Sequence, residues 1–309
     1  MDPKASPYVL ALGLAWGLNL VFSRFGIREF DPYVFIGLRL MIATAIFAGI
    51  YAFSPRRQWS RSRKLWRDAT IVGIFGTALP FAGFVGALQF QSAGLTALLV
   101  TTGPAIVVTV AHFFLADARL TRATVIGVLT AFSGAVLIIA LGESGLPDVS
   151  QANPLGYLMV FVALLSDAFM AVFIRKKMQG TDVFDVTSIR LAVAAVVIAP
   201  LALWLHPPAL TAITVKGWGS LLFTATVSTV VAQLLAFYIT RTFGTTTIAM
   251  VSYVVPLVAI LFGVLLLGET ITWGMGTGMV LIVIGVLIVN RRRTHPNIRP
   301  ADIPVKRER

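Results

Sequence analysis

Three ionisable side chains stand alone inside long apolar stretches of this sequence: Arg39, Asp167 and Arg190. An ionised group at the centre of such a stretch costs about 2.5–3.5 kcal/mol on membrane-insertion scales, so each needs a partner or a task. Asp167 and Arg190 fall roughly 10 Å deep from the same end of their stretches, at about 1.5 Å per helical residue, and can therefore pair. Arg39 and Trp16 match in the same way near the opposite face, where a cation–π contact is available. One arrangement is purely structural, with Asp167–Arg190 as an ion pair and Arg39 snorkelling outward. The other is a site: Asp167 takes a proton or a substrate amine while an arginine takes a carboxylate, the two charges a zwitterion presents. Burial favours the neutral form of a carboxyl and a nearby guanidinium favours the ionised form, so proton coupling at Asp167 and pairing with Arg190 oppose each other.

Other candidates are polar or aromatic residues in the middle of apolar stretches: Asn19, Gln89, Thr101, Thr102, Gln233, Tyr238, Ser252 and Tyr253. Two of them belong to segments that end in proline, Thr101-Thr-Gly-Pro104 and Ser252-Tyr-Val-Val-Pro256. Pro104 and Pro256 are expected to kink their helices, freeing a carbonyl one turn earlier and bending the chain around a cavity. In the bland alternative each hydroxyl bonds its own backbone. His112 reads as a satisfied structural histidine in preference to a proton relay.

Enzyme chemistry finds little footing. Gly142-Glu-Ser-Gly145 matches the Gly-x-Ser-Gly string of intramembrane serine proteases, but it falls in an external loop, and His112 precedes that serine in the chain. There is no His-Glu-x-x-His motif, no phosphate-binding loop and no aspartate pair in neighbouring apolar stretches. Cysteine is absent, which excludes thiolate chemistry and disulfides. No cofactor and no metal site are expected.

The elements that must position these residues follow from composition. Of 309 residues 57% are hydrophobic and 12% charged, against about 45–50% and about 25% in soluble domains. Stretches nearly free of charge, each long enough for the roughly 20 residues that cross a bilayer, place helices at 6–24, 33–53, 69–89, 93–115, 122–141, 154–174, 184–205, 217–240, 245–267 and 272–290. The expected fold class is an all-α membrane protein of ten transmembrane helices.

Alternate gaps differ sharply in basic residues: one side carries twenty Lys and Arg, the other only Arg24, Arg28 and Lys216. The positive-inside rule then puts both termini in the cytoplasm. That pattern accounts for the net charge of +12 without nucleic acid. The tail 291–309 is basic, contains three prolines, and is expected to be flexible and to anchor the topology, the alternative being to bind anionic lipid or a partner.

The two halves read as one unit repeated at an offset of 151–152 residues. Arg39 falls on Arg190, Asp31 on Asp182, Arg24 on Arg175, Pro104 on Pro256, Asp117 on Glu269, and Gly127 and Gly134 on Gly278 and Gly285. The paired glycines are expected to pack within the bundle, a dimer contact being the alternative. Expected units are 1–146, 147–290 and the tail. Because five helices per unit is odd, the second copy enters from the opposite side, the inverted repeat of secondary transporters.

With Trp16-Gly-Leu-Asn19, Pro32…Gly37-Leu-Arg39, the prolines of the fourth and ninth helices, and Gly268-Glu269 in this order, the chain resembles the drug/metabolite transporter superfamily, in its ten-helix EamA branch, over nearly all of 8–290. The resemblance implies a cofactor-free efflux carrier of the bacterial inner membrane. Asp167 departs from it, occupying the repeat position of Trp16 where relatives often carry an aromatic residue. The expected function is export of small metabolites, amino acids or their derivatives, by alternating access; the alternative is efflux of cationic drugs or purine-type compounds. Expected partners are the small-molecule substrate and the lipid bilayer, with proton coupling open and the chain a monomer or homodimer.

Overall fold

A computed structural model describes residues 3–54, 59–116, 120–148, 152–208 and 210–291. Arg56, Arg57, Asp117, Arg119 and the basic tail beyond Arg291 lie outside them. Ten helices are long and apolar enough to span a membrane: α1 Ser6–Gly26, α2 Pro32–Phe53, α3 Arg63–Ala87, α4 Ala93–Phe114, α5 Arg122–Ala140, α6 Leu155–Lys177, α7 Val183–Leu205, α8 Val215–Phe243, α9 Thr247–Leu267 and α10 Trp273–Asn290. Helix α3 begins six residues before the charge-free stretch, because Ser62 accepts the Leu65 N–H and starts an amphipathic turn. It therefore carries a buried acid, Asp68, paired with Arg67 at 2.9 Å. The first half thus holds an acid that a search for charge-free stretches passes over.

Repeat-related residues start repeat-related helices. Asp31 accepts the Tyr33 N–H at 2.9 Å and opens α2, while Asp182 accepts the Phe184 N–H at 2.7 Å and opens α7. Each satisfies donors that a helix N-terminus leaves unpaired. Inversion shows in the packing: α1 lies against α8 and α9 of the second half, and α6 lies against α3 and α4 of the first. α2 packs on α7, and α5 on α10, each on its own repeat counterpart. At the α5–α10 contact a Cβ on Gly134 would stand 2.7 Å from the Gly278 carbonyl and one on Gly127 2.8 Å from that of Gly285, so the paired glycines bring two backbones together within the bundle. Close backbone approach through small residues is what drives helix association where lipid removes the hydrophobic incentive.

Four spans are irregular, α3 and α8 at matching places. α3 and α8 each contain a π-helical turn, Ile74–Ala78 and Thr226–Val231. In α3, Pro80 has no N–H to return to the preceding turn, which favours the wider winding. α4 breaks at Thr101 and Thr102 and resumes at Gly103–Phe114 with Pro104 in its first turn. α9 breaks at Met250, six residues before Pro256, which sits inside the resumed helix Val251–Leu267.

The packing departs from two-fold symmetry at the ends. On the external side the first half of α4, Ala93–Val100, lies against α1 and α9. Its cytoplasmic counterpart, Thr245–Ala249, packs on α8 and on its own continuation, with no comparable packing on α4 or α6 among the described residues. The external end is the more closely packed of the two.

Candidate functional site

A cavity of about 330 Å³ lies between the repeats, lined by Trp16, Asn19, Arg39, Gly76, Thr77, Pro80, Phe81, Phe84, Asp167, Arg190, Ser228, Thr229 and Gln233. A second, of about 240 Å³, shares Trp16, Asn19, Phe81 and Phe84 with it and is otherwise lined by Leu20, Val85, Ala97, Val100, Thr101, Ser252 and Val255. The two adjoin across these four shared residues as the charged lobe and the apolar lobe of a central chamber. Both π turns border the charged lobe and contribute Thr77 and Thr229 to its lining.

Arg39 is 1% exposed. It does not snorkel outward or meet Trp16, as the sequence led one to expect. Its Nε donates to Thr229 Oγ1 at 2.9 Å, and its guanidinium lies 4.6 Å over the Phe81 ring. The hydroxyl of Thr229 in turn donates to the Thr224 carbonyl at 2.8 Å. Asp167 and Arg190 line the same lobe, but they form no direct ion pair among the described residues. Arg190 Nε and Arg39 Nη1 are buried without acceptors, and Asn19 Oδ1 and Thr77 Oγ1 are buried without donors. A buried polar group left unmatched is expensive, so a polar ligand is the natural complement. Two guanidiniums facing one carboxylate leave a positive charge for that ligand to answer.

Of the residues singled out from sequence, the structure gathers Trp16, Asn19, Arg39, Asp167, Arg190 and Gln233 in the charged lobe and Thr101 and Ser252 in the apolar one. The rest lie elsewhere. Thr102 turns its hydroxyl to the Leu99 carbonyl at 2.7 Å. Tyr238 is exposed, with its ring 5.2 Å from that of Tyr8. The Tyr253 hydroxyl takes a hydrogen bond from Asn290 Nδ2 at 2.7 Å. Gln89 joins Arg24 and Arg28 at an external vestibule. Pro104 and Pro256 line neither lobe; they shape the helices that carry Thr101, Ser252 and Val255 there. His112 Nδ1 accepts the Leu120 N–H at 3.3 Å, a local loop bond. Sequence reading missed Thr77, Phe81, Phe84, Ser228 and Thr229. One signal was present, since Thr77 and Thr229 stand 152 residues apart, as close to the repeat offset as the arginines.

At the external end, Glu269 closes the N-terminus of α4, accepting the Ala93 N–H at 2.6 Å and the Gly94 N–H at 3.0 Å. Burial pushes its carboxyl up from the ordinary glutamate value, against the opposing pull of the Gly94 and Ala93 N–H groups and of Arg24 and Arg28. Ser92 N–H donates to the Ser144 carbonyl at 2.8 Å, and Thr270 N–H to that of Gly145 at 3.1 Å. The Gly142–Gly145 string thus ties the loops over the chamber together.

The family model of EamA-like transporters matches residues 4–140 and 154–291, one copy per half. The chain belongs to the EamA-like transporter family. It is a multi-pass membrane protein of that family, whose function is transport. It is similar to an uncharacterised transporter of Archaeoglobus fulgidus, 25% identical over 92% of this chain and 98% of the relative. The uncharacterised transporter YoaV of Bacillus subtilis is 27% identical over 91% and 94%, and a probable amino-acid metabolite efflux pump of Salmonella typhimurium is 27% identical over 93% and 95%. A solved crystal structure superposes with a TM-score of 0.61 at 21% identity, covering 96% of this chain and 100% of the other, which bears on the fold alone.

Proposed function

We propose that this EamA-family chain exports small metabolites bearing both an amine and a carboxylate, amino acids or their derivatives, across a bacterial inner membrane by alternating access. The observation that carries this reading is the composition of the chamber. A carboxylate meets Arg39 Nη1 and Arg190 Nε, both buried and unmatched. An ammonium meets Asp167 and Asn19 Oδ1, which is buried without a donor. An apolar side chain enters the lobe formed by Val85, Ala97, Val100 and Val255. The relative named as a probable amino-acid metabolite efflux pump supports the substrate class. A cationic drug fits less well, because the lobe lined by the acid holds two arginines.

The test is counterflow in proteoliposomes, presenting labelled threonine, a cysteine derivative and phenylalanine to the wild type and to Asp167→Asn. Uptake of at least one amino acid by the wild type, reduced about tenfold or more in the variant, is expected from the loss of one buried charge facing another. Uptake of a cationic dye with no uptake of any amino acid would replace this reading with drug efflux.

A further inference from the structure

The hydrogen bond between Arg39 and Thr229 has a counterpart under the repeat relation, and that counterpart is unmade. Arg39 corresponds to Arg190 at an offset of 151, and Thr229 to Thr77 at 152. Each threonine sits in the π turn of the third helix of its repeat. All four line the charged lobe. Arg39 Nε donates to Thr229 Oγ1 at 2.9 Å, whereas Arg190 Nε and Thr77 Oγ1 are each buried with no partner. The two atoms that would make the mirror bond are the two left over. The helices that carry them already touch, since a Cβ on Gly73, one turn before Thr77, would lie 3.0 Å from the Arg190 carbonyl.

An unmade buried donor and acceptor favour any arrangement that joins them, and two packings related by an inverted repeat are close in energy. We propose that Thr77 and Thr229 are repeat-related positioning residues that hold the two arginines in turn. With the external end packed as it is here, Thr229 fixes Arg39 and leaves Arg190 Nε without an acceptor, to be answered by a substrate carboxylate. In the oppositely facing state Thr77 takes Arg190 and Arg39 is released. Substrate therefore passes from one guanidinium to the other as the chamber changes sides. This rests on the alternating-access reading above and adds which residues choose the receiving arginine.

The chain has no cysteine, so label pairs can be introduced without removing native thiols. Spin labels at Gln89 and Leu266 report the external side. Labels at Arg241 and Phe114, the positions 152 residues away from these, report the cytoplasmic side, all four being exposed. Distance distributions are recorded by pulsed electron resonance in nanodiscs without substrate. Thr229→Val is expected to move the population toward the long external and short cytoplasmic distances by about tenfold in ratio, from the loss of one hydrogen bond to a charged group. Thr77→Val is expected to move it the other way. Thr229→Ser and Thr77→Ser, which keep the hydroxyl, are expected to match the wild type, a rescue that a merely structural threonine would not give. Shifts of the same sign in both valine variants, or no shift in either folded variant, would overturn the proposal. Opposite shifts in a protein that moves no amino acid would leave it standing and remove only the substrate reading.

Discussion

Glu269, in the turn between α9 and α10, accepts the backbone N–H of Ala93 at 2.6 Å, closing the start of a helix that lies 176 residues earlier in the chain. Its carboxyl titrates above the ordinary value of 4.5 because burial disfavours the ionised form. The external end, packed as it is here, therefore binds the Glu269 proton more tightly than an opened, hydrated end does. Its contribution to closure is full below about 4.5 and is lost as pH rises through the raised value. Cysteine at Leu88, fully buried beside Ala93 and Leu267, should react with an impermeant maleimide more slowly at acid than at alkaline pH, after normalisation to an exposed cysteine at Ile271. Glu269→Gln should flatten that dependence. An unchanged pH profile in the glutamine variant would place the titrating group elsewhere.

The α5–α10 contact sets a second expectation. A Cβ added at Gly134 meets the Gly278 carbonyl at 2.7 Å and the Leu281 Cβ at 2.9 Å, and neither can withdraw without parting the helices. Gly134→Val should lower stability by about 1–3 kcal/mol, as overpacking of well-filled sites does. Gly49, inside α2, has nothing within 4 Å of its added Cβ, and Gly49→Ala should stay within about 1 kcal/mol of the wild type. Thermal unfolding in detergent separates the two; equal losses would mean that the close approach does not hold α5 to α10.

The fold was legible because its signals are long and redundant. Span length, charge bias and the 151-residue echo of Arg39 in Arg190 each point to ten helices in two inverted units. The site was legible where a polar residue is expensive anywhere in lipid, which is why Asn19, Asp167 and Gln233 could be singled out. It was not legible where direction decides. Tyr238 and Gln233 lie five residues apart on one regular helical segment, but only Gln233 faces the chamber, because five residues at 3.6 per turn set the two side chains roughly 140° apart. The partner of Arg39 was missed because Thr229 lies in a π turn, whose position the sequence Thr226–Val231 does not announce. Phe81 and Phe84 give no sequence signal in a chain with 21 phenylalanines.

That difference in facing makes a prediction about transport. Tyr238 is exposed and stacks near Tyr8 and Phe243, away from both lobes. Tyr238→Phe should leave counterflow rates within about twofold of the wild type, as surface substitutions generally do. Asn19 borders both lobes, and its Oδ1 is buried and unmatched. Asn19→Ala should reduce uptake about tenfold, chiefly by weakening substrate affinity, because it removes an acceptor for the ammonium. A larger loss in the Tyr238 variant than in the Asn19 variant would move the transport path out of the chamber.

The apolar lobe should set which side chains pass. Val100 borders it at the last turn before α4 breaks, opposite Phe84 and Val255, and is only partly buried. Val100→Phe extends an aromatic ring into a space of about 240 Å³, enough to displace a large substrate side chain but not the charged head group in the neighbouring lobe. Discrimination in an apolar pocket is about 1–3 kcal/mol per methylene, so a clash with a whole ring should abolish counterflow of phenylalanine. Threonine, whose side chain occupies little of the lobe, should retain most of its rate. The ratio of the two uptake rates, measured on one proteoliposome preparation, is independent of how much protein is folded. A parallel fall in both would mean that the lobe serves packing and that specificity lies with the arginines and Asp167.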